Sequence, residues 1–180
     1  MNWRIIILGM LYFNLGFSQI NLLTDGKIHY VGSTNGYIHL NDGLVEVPEL
    51  ASLSYVIIEG FRLYSLNYKV RYQKTWNDDF IIKEREIKFY ATQDEIDSLY
   101  EMINDYIKRA KFSLEKLKPM IVQLGDNILT IEHQTIPYSN SKILALFQTP
   151  EDVALEISPY KYSLDIQGVK IFQLFGKIRD

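Results

Sequence analysis

Between Leu66 and Gln73 the chain alternates without exception. Leu66, Tyr68, Val70 and Tyr72 are apolar or aromatic, while Asn67, Lys69, Arg71 and Gln73 are polar. A period of two belongs to a β-strand with one face in a core and the other in water, because successive side chains leave a strand on opposite sides. The next apolar-rich run, Phe80–Ala91, follows a Trp76-Asn77-Asp78-Asp79 turn signal. Pairing the two runs as a hairpin around an Asn77-Asp78 loop sets Leu66 opposite Phe89 and Tyr68 opposite Ile87 on the apolar side. On the wet side Lys69 faces Glu86 and Arg71 faces Glu84, each pair stabilising by roughly 0.2–1 kcal/mol. Slipping by two residues one way would put Lys69 against Lys88.

Other segments read as strands broken by turn residues. Lys27–Val31 and Tyr37–Leu40 flank Ser33-Thr34-Asn35-Gly36, and Asn-Gly supplies the positive φ angles of a tight hairpin turn. Asn41-Asp42-Gly43 marks the next reversal, Leu44–Val47 a third short strand ended by Pro48, and Ser54–Glu59 a buried β-rich run. Past residue 119, Met120–Leu124 and Ile128–Gln134 flank Gly125-Asp126-Asn127. Lys142–Gln148 and Val153–Ser158 similarly flank Thr149-Pro150-Glu151-Asp152.

One long helix separates these groups. Thr92 caps it and Glu95 completes a capping box; Ile96, Leu99, Tyr100, Ile103, Ile107 and Ala110 then share one stripe. Asp94, Glu95 and Asp97 near its start and Lys108, Arg109 and Lys111 near its end suit the helix dipole. The pattern extends through Leu117, with Pro119 as the stop, giving a helix over 93–117. At the C-terminus, Ser163 can cap a helix to about Phe175 with Gly176 beyond it. The alternation of Tyr162, Leu164 and Ile166 and a Gln167-Gly168 turn offer a hairpin instead. The helix is favoured because both its ends carry caps. The expected fold is α+β: one curved antiparallel sheet with the long helix packed on it and a shorter C-terminal helix.

The first 18 residues, MNWRIIILGMLYFNLGFS, stand apart as an export signal. Arg4 is followed by an apolar run from Ile5 to Phe17, interrupted only by the polar Asn14, and the small residues Gly16 and Ser18 sit at −3 and −1 before Gln19. The run is short of the roughly 20 residues of a spanning helix. The expected organisation is a signal peptide over 1–18 and a single domain over 19–180, with no membrane span after cleavage. The signal resembles those of Gram-negative exported proteins, which implies a periplasmic or secreted location.

Composition narrows the chemistry. Loss of Arg4 with the signal deepens the net charge from −3 to −4, against the clustered basic excess that nucleic acid requires. With no cysteine, neither disulfides nor thiolate metal sites nor cysteine nucleophiles nor N-terminal lipidation are open to the chain. Asn-X-Ser/Thr sequons are missing too. The three histidines, His29, His39 and His133, lack metal-ligand spacing, and His133 and Glu132, as strand neighbours, point opposite ways. No Gly-X-Ser-X-Gly elbow, His-Glu-X-X-His helix or phosphate-cradling glycine spacing occurs. Asp78-Asp79, Asp94 and Glu95 are accounted for by turns and the helix dipole, Glu84 and Glu86 by the hairpin charges. Tyrosine is in excess, with 13 in the chain and Tyr55, Tyr64, Tyr68 and Tyr72 in one stretch. Such residues suit half-buried strand positions, with Tyr68 and Tyr72 in the core, or an aromatic surface that stacks on a ligand.

The expected function is therefore an exported, non-enzymatic binding or interaction domain of the cell envelope. Its protein or small-ligand partner is unspecified, and no catalytic residue, cofactor or metal is assigned. The competing expectation is a small exported hydrolase whose site joins His39 or His133 with a distant carboxylate.

Overall fold

A computed structural model describes residues 27–40, 43–73, 80–113, 115–135, 142–166 and 170–177. The signal segment 1–18, the Asn77-Asp78 loop and the Gln167-Gly168 turn lie outside the described residues. The protein is α+β, with eight strands in two antiparallel four-stranded sheets. The first sheet runs in chain order: β1 (His29–Leu40), β2 (Gly43–Ile58), β3 (Phe61–Gln73) and β4 (Phe80–Tyr90). Helix α1 (Gln93–Phe112) leads to the second: β5 (Met120–Leu124), β6 (Asn127–Gln134), β7 (Lys142–Gln148) and the two-residue β8 (Leu164–Asp165). A short helix α2 (Pro150–Ala154) and a 3-10 turn (Pro159–Tyr162) join β7 to β8, and α3 (Ile171–Leu174) follows. The antiparallel strands thus form two sheets rather than one.

Apolar alternation explains the core. Leu53, Tyr64, Leu66, Tyr68, Val70, Ile87 and Phe89 from the first sheet share one buried cluster with Leu129, Ile131, Ile143, Ala145 and Phe147 from the second. The Tyr68 and Phe147 rings meet across the two sheets at 4.9 Å. Helix α1 joins them through Ile96, Leu99, Ile103, Ile107 and Ala110, as its periodicity predicts, with Tyr106 added to the stripe. Its Thr92/Glu95 capping box is present. The helix ends at Phe112, short of 117: Phe112 is exposed, and Ser113 already has extended backbone angles. Residues from all these layers line an apolar cavity of about 40 Å³ at the centre.

Three local expectations change. Asn35-Gly36 is no hairpin turn: β1 runs straight through it, and Leu40 pairs with Gly43 at the next reversal. Gly36 takes no positive φ; its missing Cβ makes room for the Leu50 side chain. The β1–β2 register shifts between Thr34 and Gly36, where β2 carries extra residues. Asn35 Oδ1 accepts from the Glu49 N–H at 3.1 Å, so the asparagine pins the irregularity, and Pro48 sits inside β2 rather than ending a strand. Second, Val153–Ser158 is not a strand. Thr149-Pro150-Glu151-Asp152 opens α2, with Thr149 as the cap, Pro150 in the first turn and Asp152 completing a capping box. Third, the C-terminal helix covers only Ile171–Leu174, while Leu164 and Asp165 pair with Ala145 and Leu144.

The β3–β4 hairpin forms with its faces as expected but two residues out of register. Leu66 lies opposite Ile87, Tyr68 opposite Arg85 and Lys69 opposite Glu84. An even slip keeps every side chain on its own face, so hydrophobic patterning does not choose between the two registers. The observed one keeps one opposite-charge pair, Lys69–Glu84 at 3.9 Å, and sets Arg85 within reach of Asp152.

The segment 170–177 closes over β1. Lys170 N–H donates to Thr34 Oγ1 at 3.1 Å, and Lys177 Nζ reaches Asp97 Oδ1 of α1 at 2.7 Å. Gly32 lies directly beneath the backbone carbonyls of Gln173 and Leu174. A Gly32→Ala methyl would meet rigid backbone, so the variant should lose about 2 kcal/mol in urea unfolding. Gly36→Ala should lose less, because its nearest neighbour is the mobile end of a leucine.

Candidate functional site

At the end of the inner face of the first sheet, near the 74–79 connection, the apolar lining gives way to charge. Arg85 faces inward opposite Tyr68, its Nη2 bound to Asp152 Oδ2 at 2.7 Å and its guanidinium 4.0 Å from the Tyr162 ring centroid. Asp152 is held there by its own helix: the same Oδ2 also accepts from the Thr149 N–H and hydroxyl, both at 3.0 Å. Both partners are largely removed from water, a situation in which attraction must offset lost hydration. Two buried polar atoms here, the Nε of Arg85 itself and the neighbouring Tyr68 Oη, have no aligned hydrogen-bond partner. Burial pushes the Tyr68 hydroxyl up to about 12, against the pull of Arg85, so it keeps its proton at neutral pH.

Next to this pair, Tyr72 and Tyr162 stack at 6.0 Å with their planes 8° apart. Lys83 Nζ lies 4.7 Å from the Tyr72 centroid and 5.4 Å from that of Tyr162. Lys161 Nζ lies 5.2 and 5.9 Å from the same two rings. Among the described residues neither ammonium has a carboxylate partner. Tyr162 is buried, Tyr72 and Lys83 are half-buried and Lys161 is exposed, so the group grades from core to solvent. Tyr68 is fully buried as its face predicts, whereas Tyr72 belongs to this rim.

A second polar group lies on the other sheet. Glu132, nearly buried, accepts from Lys116 Nζ at 2.7 Å and from the Tyr160 hydroxyl at 2.6 Å. The Lys116 and Tyr160 hydrogen bonds hold its carboxyl below the ordinary carboxylate value. His133 is fully buried and takes different partners: its Nδ1 accepts from the Leu117 N–H at 3.4 Å, and its own N–H donates to Tyr106 Oη at 3.1 Å. Glu132 and His133 therefore do not form a pair. His29 stacks on Tyr55 at 4.7 Å, in a rung that continues through Tyr64 to Phe89 across all four strands. The backbone of His39 pairs with that of Leu44, further along β1. Among the described residues no group of three His, Asp or Glu side chains is placed to hold a metal. The Ser-X-X-Lys spacing of some serine nucleophiles occurs at Ser113–Lys116, Ser139–Lys142 and Ser158–Lys161, the last with Ser158 just before the 3-10 turn and Lys161 Nζ beside the Tyr72 and Tyr162 rings. In the first, Lys116 is bound to Glu132 and the Ser113 hydroxyl donates to the Glu115 carbonyl; the second begins outside the described residues.

The chain matches no protein-family model, no curated protein and no solved structure.

Two stability tests follow from these contacts. Asp152→Ala uncaps α2 and strands the Arg85 charge, and should cost about 3 kcal/mol in urea unfolding; Arg85→Met in the same chain should recover part of that loss. Glu132, with its folded value lowered from 4.5, contributes stability above that pH and loses it as pH falls through the folded value. The difference in Tm between the wild type and Glu132→Gln should therefore be full at neutral pH and shrink below pH 4.5.

Proposed function

We propose that the protein is exported to the periplasm or the medium, and that it works there as a binding domain rather than as an enzyme. Its ligand sits on the Tyr72–Tyr162 rim, in contact with Lys83 and Lys161. The observation that carries this reading is the pair of lysines. Their charges are uncompensated among the described residues and gathered over two stacked tyrosines of an otherwise acidic protein. Tyrosine supports such a role because it offers an apolar face and a polar tip in one rigid side chain. The basic, apolar and small-residue order of positions 1–18 supports export. Among the described residues no helix is long and apolar enough to cross a membrane.

Both parts are tested on protein recovered from its native host. Edman sequencing of material from the envelope fraction or the medium should read from Gln19. Cytosolic protein that still carries Met1 would overturn export. NMR titration with a panel of neutral sugars, acidic sugars and aromatic acids should shift Tyr72, Lys83, Lys161 and Tyr162 together. A response confined to other residues, or none to any ligand, would overturn the binding site.

A further inference from the structure

Resting on that binding reading, we infer that the rim takes a doubly charged oxyanion of the phosphate-monoester class, seated between Lys83 and Lys161. The charge count leads there. Among the described residues Arg85 and Asp152 cancel each other, while Lys83 and Lys161 have no carboxylate partner beside the same two rings. An aromatic face attracts an ammonium group by about 0.5–1 kcal/mol but carries no net charge, so it leaves both positive charges in place. Held beside the same two rings, the two ammonium groups repel each other, and a dianion that contacts both turns that repulsion into attraction. A monoanion would leave one charge uncompensated.

The hydrogen-bond count points the same way. Lys83 and Lys161 each offer ammonium donors, and behind them the Arg85 Nε–H and the Tyr68 hydroxyl are buried without an aligned partner, the guanidinium and the phenol interacting with each other. Among the described residues the carboxylate oxygen in contact, Asp152 Oδ2, already accepts from three donors. Among the described residues the solvent-facing donors of this cluster are the two ammonium groups, and a phosphate group supplies the acceptor oxygens they lack. Free phosphate and a phosphorylated sugar share this chemistry. The tyrosine faces add apolar contact only for the sugar ester.

The test is an NMR titration of the whole protein at neutral pH and constant ionic strength. Inorganic phosphate and glucose 6-phosphate are the probes, with glucose and acetate for comparison. Both phosphates should shift Lys83, Lys161 and Tyr72 saturably. Lys83→Ala and Lys161→Ala should each weaken binding about tenfold or more, and added salt should weaken it further. Lys83→Arg should retain binding. Lys116→Ala, whose ammonium is already engaged by Glu132, should leave it unchanged. Thermal melts of each variant separate lost binding from lost folding. Tighter binding of glucose 6-phosphate than of phosphate assigns the ester as the source, and equal binding assigns the free ion. If neither phosphate binds while glucose or acetate shifts the same residues, the phosphate-dianion assignment falls and the ligand site survives. If no ligand perturbs the rim, both fall.

Discussion

Each of the two sheets has an apolar inner face, and without disulfides those faces are held in place by what they cover. Tyr68 against Phe147 and Asn127 against the Lys88 carbonyl tie the sheets across the interior. Helix α1 and the 170–177 segment complete the lining. A small domain of this kind depends on packing for nearly all its stability, which makes close approaches such as Gly32 under the Gln173 carbonyl as consequential as any single hydrogen bond. The polar groups that interrupt this interior are held by specific partners. Asn127 bridges backbone carbonyls of both sheets, and Asp152 completes the Thr149 capping box of its helix while neutralising Arg85.

Much of this was legible in the residues, for local reasons. Strict alternation identified β3, and a capping box with a clean apolar stripe identified α1, because period and cap chemistry depend on near neighbours. Where the outcome depended on distant partners, local reading failed. The two-residue shift of β3–β4 keeps every face intact, and a carboxylate 67 positions away selects it. Asn35-Gly36 has turn chemistry, yet the glycine serves Leu50 and the asparagine serves Glu49. Thr149-Pro150-Glu151-Asp152 was the exception, since cap, proline and acidic third residue were all visible and pointed to a helix start rather than a loop.

The candidate site was hardly legible at all. Tyr72, Lys83 and Lys161–Tyr162 come from β3, β4 and the 3-10 turn, and no spacing links them. The tyrosine excess did mark the region, but fold position divides its members: Tyr64 and Tyr68 are interior, while Tyr72 reaches the rim beside lysines. A site assembled from separate elements has no signature in the linear order, and the motifs absent from this chain therefore carry little weight.

Closure of β1 by residues 170–177 also orders events in time. The hydroxyl of Thr34 waits for an amide 136 positions downstream, and Gly32 for a carbonyl still further on. The first sheet can pair its strands as they leave the ribosome, but its edge strand β1 stays uncovered until residues 170–177 have been made. Covering of that strand therefore depends on residues made long after its own pairing partners.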